Sequence, residues 1–244
     1  MNYYRGSGMG QIPKIVKNLL ILNIVVFILT MIGKSSQRYD LNNILALYFP
    51  LSENFQPFQL ITYMFMHGSI GHIFFNMFAL WMFGRVLEGV WGEKRFFIYF
   101  MVTGIGAALF QITVNYIRFL ILKNQISPEL FAEVMEKGAD ILQSNKNYSN
   151  EVLGKLNLLI NIPTVGASGA IFGILMAFGM MFPDARLMLL FPPIPIRGKY
   201  IAIFALVAGM LFDFRGNVAH FAHLGGMVFG YILIKYWKRK TPMY

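Results

Sequence analysis

The chain has no cysteine among its 244 residues. A disulfide, a thiolate nucleophile and a cysteine-ligated metal are therefore excluded. The redox compartment stays open, because a chain without cysteine suits any of them. Charge is scarce as well: Asp, Glu, Lys and Arg make up 13%, against about 25% in an ordinary soluble domain. That scarcity argues against a disordered chain and a coiled coil. Acidic residues are the rarer kind, 11 against 21 basic ones, which leaves a formal net charge of +10. In a soluble protein such a balance would suggest nucleic acid. In a membrane protein it reflects basic residues gathered on the cytoplasmic side, and no nucleic-acid partner is expected.

What is abundant is apolar surface. Apolar residues make up 57% of the chain, including 24 Phe and 16 Met, and mean hydropathy is +0.56. A transmembrane helix needs about 20 mainly apolar residues. Six segments qualify, near 14–33, 66–87, 95–117, 165–182, 198–213 and 219–237. The expected fold class is an all-α polytopic membrane protein, a single membrane domain over 1–244 with no separate soluble unit. The first segment has a basic start and a long apolar core, and no A-x-A-like site follows it. It reads as a retained helix rather than a signal peptide.

Placing the N-terminus inside puts 13 of the 21 basic residues on the inner side, among them Arg85, Lys94, Arg95, Arg186, Arg197, Lys199 and Lys235. Both termini are then cytoplasmic. Two long loops fall outside. One, 34–65, carries the aromatic and proline-rich run from Tyr48 to Phe58. The other, 118–164, has helix-like spacing from Pro128 to Gln143 and predicts a surface helix at the outer interface.

Ionisable residues inside a membrane are costly and are functional candidates by default. All four histidines, His67, His72, His220 and His223, lie in or beside the second and sixth segments. Asn76 follows His72 by one helical turn, so both share a face. Gly166-Ala-Ser-Gly169 sits in the first turn of the fourth segment. Under this topology, Ser168, the histidines and Asn76 fall at similar depth in the outer third of the bilayer. Each has a plainer reading: Ser168 as a small contact residue, His72 with Asn76 as an interhelical hydrogen-bond pair, and the histidines as metal or haem ligands. Together they favour nucleophilic chemistry, with a histidine to activate the serine and an amide and imidazole to steady an oxyanion. Gly169-x-x-x-Gly173 and Gly226-x-x-x-Gly230 would let the fourth and sixth helices approach closely.

From about 14 to 237, the chain resembles the rhomboid family of intramembrane serine proteases. The resemblance rests on His72-x-x-x-Asn76, Gly166-Ala-Ser-Gly169 and Ala222-His-Leu-Gly-Gly226-x-x-x-Gly230, with Glu88 and Gly92-Glu-Lys-Arg-Phe after the second segment. It implies a six-helix rhomboid-like bundle, an intramembrane endopeptidase acting on transmembrane protein substrates within the lipid bilayer, and no metal or other cofactor. Ser168 would be the nucleophile and His223 the general base. The Ser168 N–H, His72 and Asn76 would form the oxyanion hole, and Gly166 would give substrate access. His220 lacks the glycines that follow His223 and is expected, like His67, to be structural. Phe172, one turn after Ser168, can pack beside the dyad histidine. Phe212 or Phe214 would close the site as part of a cap. The alternative function is a non-catalytic rhomboid-like binder of transmembrane helices. A transporter or haem protein is a third class, for which no internal repeat speaks. Short termini suggest a bacterial inner membrane.

Overall fold

The computed structural model describes residues 11–36, 40–188, 194–212 and 220–240, and the fold is almost wholly helical. Helix α1 spans Lys14–Ser35. Short helices α2 (Leu41–Leu45) and α3 (Gln59–Thr62) follow in the first long loop. Helix α4 (Ile70–Ala79) runs through a single π-helical turn, Leu80–Gly84, into α5 (Arg85–Trp91). Then come α6 (Glu93–Lys123), α7 (Pro128–Gln143), α8 (Glu151–Asn161) and α9 (Ser168–Met181). A small antiparallel hairpin, β1 (Arg186–Met188) with β2 (Pro195–Arg197), precedes α10 (Ile201–Phe212) and α11 (His220–Lys240).

Among the described residues, three helices are long and apolar enough to cross a membrane: Lys14–Ser35, Ile70–Trp91 and Glu93–Lys123. The surface of α1 shows why. Ile21, Ile24, Val25, Ile28 and Ile32 are all exposed on it, an arrangement suited to lipid rather than water. Helix α9 is the reverse. Most of its residues are buried, and at 14 residues it is only about 21 Å long. It packs against both α6 and α11, which also pack against each other.

Glycines set how closely these three helices pack. A methyl at Gly226 would lie 1.9 Å from the Gly169 carbonyl oxygen, and one at Gly173 would lie 2.6 Å from Thr103 Cβ. The contact therefore tolerates only hydrogen at these positions. The Tyr99 hydroxyl donates to the Gly173 carbonyl at 2.7 Å, so a buried polar group ties α6 to α9.

Glu88 explains how α1 is fixed. The first N–H groups of a helix have no intrahelical acceptor, and Pro13 offers α1 no side-chain cap. The Glu88 carboxylate supplies both acceptors: Ile15 N–H donates to one oxygen at 2.9 Å and Val16 N–H to the other at 2.8 Å. Glu88 is itself 3% exposed. Glu88→Ala is expected to cost about 3 kcal/mol, because it removes two charge-assisted hydrogen bonds and strands one buried and one part-buried donor. Thermal unfolding in detergent measures this; an unchanged midpoint would show that α1 is held by packing alone.

Several boundaries differ from expectation. The second helix begins at Ile70 rather than 66, because Ser69 caps it by accepting from His72 N–H at 3.1 Å. His67 therefore lies in the preceding loop. The third runs on to Lys123, six residues past the expected 117. The fourth begins at Ser168: Gly166, with φ of 123°, cannot belong to a helical first turn. The surface helix at 128–143 is present, with Ser127 as its N-cap and Pro128 in its first turn. It does not lie alone. Helix α8, capped by Asn150, pairs with it over an apolar cluster that includes Val134, Leu153, Leu156, Phe119 and Phe49. The hairpin β1–β2 was also not expected.

Candidate active site

The site is assembled where the chain enters α9. The approach is extended: Leu47 and Thr164 exchange two backbone hydrogen bonds, at 2.9 and 2.8 Å. Gly166 N–H then donates to the Tyr63 carbonyl at 2.9 Å. The turn at Gly166 needs a positive φ, which an L side chain rarely adopts. It also needs space, because a methyl there would lie 2.7 Å from His72 Nε2 and 3.6 Å from Ser168 Oγ. The missing side chain at Gly166 thus leaves open the space beside the His72 ring and the Ser168 hydroxyl.

Ser168 is the first residue of α9, and Ala167 before it provides no side-chain cap. The first-turn N–H groups of α9 are left without intrahelical acceptors, and they carry the positive end of the helix dipole. The close α9–α11 contact brings His223 across: its Nε2 lies 2.8 Å from Ser168 Oγ. The imidazole is buried and stacks on Phe172, with centroids 4.3 Å apart and planes at 17°. The ring orientation is therefore set by packing on an aromatic face. Among the described residues no hydrogen-bond partner, and so no carboxylate, reaches His223 Nδ1.

Asn76 is buried on α4, and its Nδ2 has no hydrogen-bond partner among the described residues. Leaving such a donor unpaired costs about 1–3 kcal/mol, which makes it a candidate to serve a bound acceptor. His67 packs edge-on against His72 at 5.0 Å, and His220 edge-on against His223 at 6.0 Å. The four histidines thus form two aromatic pairs, and in each one member lies at the serine while the other backs it. The structure brings together Ser168, His223, His72, Gly166 and Phe172. Gly169, Gly173, Gly226 and Gly230 line the helix contact behind them. Phe214 and the Phe212 side chain lie outside the described residues. No group of three or more His, Asp or Glu among the described residues is placed to hold a metal ion.

Tyr63 was not anticipated. Its carbonyl fixes Gly166, and its hydroxyl donates to the Gly104 carbonyl at 2.7 Å. It links the serine turn to α6. The one sequence clue is a tyrosine hydroxyl in apolar surroundings, which needs a partner when buried.

Comparison with known proteins agrees with this architecture. Residues 54–125 and 129–240 match the Rhomboid domain. The chain belongs to the rhomboid family. Relatives include Rhomboid protein 1, mitochondrial, of Saccharomyces cerevisiae, 30% identical over 170 residues, covering 68% of this chain and 38% of the relative. Presenilin-associated rhomboid-like protein, mitochondrial, of Homo sapiens is 25% identical over 188 residues, covering 73% of this chain and 39% of the relative. RHOMBOID-like protein 12, mitochondrial, of Arabidopsis thaliana is 27% identical over 218 residues, covering 87% and 55%. The chain thus spans between 38% and 55% of the length of these relatives. It is a membrane protein by family and by its apolar helices. The expectation of a bacterial inner membrane gains no support from these relatives, whose names place them in mitochondria.

Proposed function

We propose that the chain is an intramembrane serine endopeptidase that cleaves transmembrane proteins near their outer ends. The carrying observation is the 2.8 Å contact between Ser168 Oγ and His223 Nε2. In the proposed topology, α1, α4–α5, α6, α9, α10 and α11 are six spans of one membrane domain, with both termini on the cytoplasmic side. The N-terminal end of α9 then faces the outer leaflet.

The chemistry follows from the positions. Ser168 Oγ attacks the scissile carbonyl carbon as its proton passes to His223 Nε2. The carbonyl oxygen gains the negative charge and is met by the Ser168 N–H, Asn76 Nδ2 and His72. The tetrahedral species collapses, the C–N bond breaks, and His223 returns the proton to the leaving amine. Water then attacks the acyl-enzyme with His223 again as base, releasing the acid and restoring Ser168. No described carboxylate meets His223, and the Phe172 face does the orienting that a third residue does elsewhere.

The test is cleavage of a single-span reporter, with small residues near its outer end, in proteoliposomes. A cut mapped to that end supports the reading. A reporter that binds and stays intact supports a non-catalytic binder of transmembrane helices instead. Within the same assay, Asn76→Ala is expected to lower kcat by about 10²-fold with KM little changed, because its amide serves the oxyanion and not the ground state. A KM effect alone would make Asn76 a substrate-binding residue.

A further inference from the structure

At the C-terminal end of α9, opposite the serine, the β1–β2 hairpin pairs Arg186 directly with Arg197 across the two strands. Cross-strand partners stand about 5 Å apart at Cα and project from the same face. Like charges so placed repel, and neither arginine forms an ion pair with an acidic side chain among the described residues. Both are exposed. Asp184, the nearest carboxylate in sequence, bridges neither of them.

The backbone that carries the pair is held in place. Leu187 packs inward on the bundle core. Gly198 N–H donates to the Ala185 carbonyl at 2.8 Å and Lys199 N–H to the Pro183 carbonyl at 3.2 Å. Gly198 fits so closely that a methyl on it would lie 2.2 Å from the Phe182 carbonyl oxygen. Beyond the arginines the same face turns apolar: Met188, two residues after Arg186, is 65% exposed and pairs with Pro195. Two exposed guanidiniums carried on a fixed backbone, next to an uncovered apolar side chain at the end of a membrane helix, match a ligand with an anionic head and an apolar tail.

We propose that this hairpin binds an anionic phospholipid, its phosphate shared between Arg186 and Arg197 and its acyl chains against Met188. The shared anion relieves the repulsion that the strand register imposes, and the guanidinium fork suits phosphate oxygens. The site is distinct from the serine site and does not depend on the protease reading.

The absence of cysteine makes the test clean, because Met188→Cys carries a bimane fluorophore at that position alone. The labelled protein in detergent is titrated with phosphatidylglycerol, with phosphatidylcholine and with inorganic phosphate. The expected result is a saturable blue shift with phosphatidylglycerol only. Adding Arg186→Gln with Arg197→Gln should weaken binding roughly 25-fold, about 5-fold per charge. Lys137→Gln with Lys146→Gln, the same loss of charge on the α7–α8 side, should leave it unchanged. Equal response to both lipids, or equal loss in the two double variants, would overturn the proposal. Displacement of the lipid by inorganic phosphate at comparable concentration would reassign the pair to a free small anion.

Discussion

Ser168→Ala and His223→Ala are each expected to reduce reporter turnover by at least about 10³-fold, and their combination to reduce it little further. In the proposed mechanism the two side chains act as one unit. Without His223 the Ser168 hydroxyl keeps its proton and is a poor nucleophile; without Ser168 the imidazole has nothing to activate. Their 2.8 Å separation and the burial of His223 make the coupling direct. Neither variant should unfold the protein, since removing a hydroxyl or an imidazole leaves the glycine contacts between α9 and α11 intact. Reporter turnover and the thermal midpoint, measured on the same preparations, check both halves. Additive losses, or a His223→Ala variant with native turnover, would mean that His220 or another group acts as base.

The second large effect concerns the glycine contact. Gly226→Ala places a methyl 1.9 Å from the Gly169 carbonyl oxygen, well inside contact distance. Both atoms belong to helix backbones, so α9 and α11 must separate. Overpacking of this kind typically costs about 1–3 kcal/mol. The functional loss is larger, because Ser168 adjoins Gly169 on one helix and His223 precedes Gly226 by one turn on the other. A separation of about 1 Å removes the hydrogen bond and lowers turnover by about 10²-fold. Gly89→Ala is the control. No atom lies within 4 Å of its added methyl, and alanine is the better helix former. Turnover and thermal midpoint should both hold there. Full activity in Gly226→Ala would show that the helices have slack which the structure does not display.

Much of this arrangement was legible in the residues. Apolar runs located the long helices, because lipid demands a continuous apolar surface. Helix-like spacing marked α7 over Pro128–Gln143, because apolar residues must recur on one face of a surface helix. Glycines at a spacing of four marked the α9–α11 contact. The features that escaped depend on partners distant in sequence. Helix α8 keeps Asn157 fully buried, and that is tolerable because Asn157 donates to the Gly138 carbonyl at 3.0 Å, 19 residues away, and to Asn147 Oδ1 at 3.1 Å, while it accepts from Asn161 Nδ2 at 2.8 Å. The hairpin at 186–197 is held by Leu187 against the core and by Gly198 against Phe182, contacts with no local pattern. Glu88 was visible as a motif residue, yet its service to the first turn of α1, 72 residues earlier, appears only in the fold. At the site itself, the residue types were evident, but the break before Ser168 was not. Gly166 could equally have opened a helix, and its positive φ comes from the strand-like tether to Leu47 and Tyr63.

The central claim is that Ser168 is an activated nucleophile with His223 as its base. It is tested most directly by labelling the purified, folded protein with a fluorophosphonate probe, which phosphonylates a serine only when a base draws off its proton. The native chain should label, and Ser168→Ala and His223→Ala should both fail to label while unfolding at the native temperature. Label that persists in Ser168→Ala would place the reactive group elsewhere and contradict the assignment.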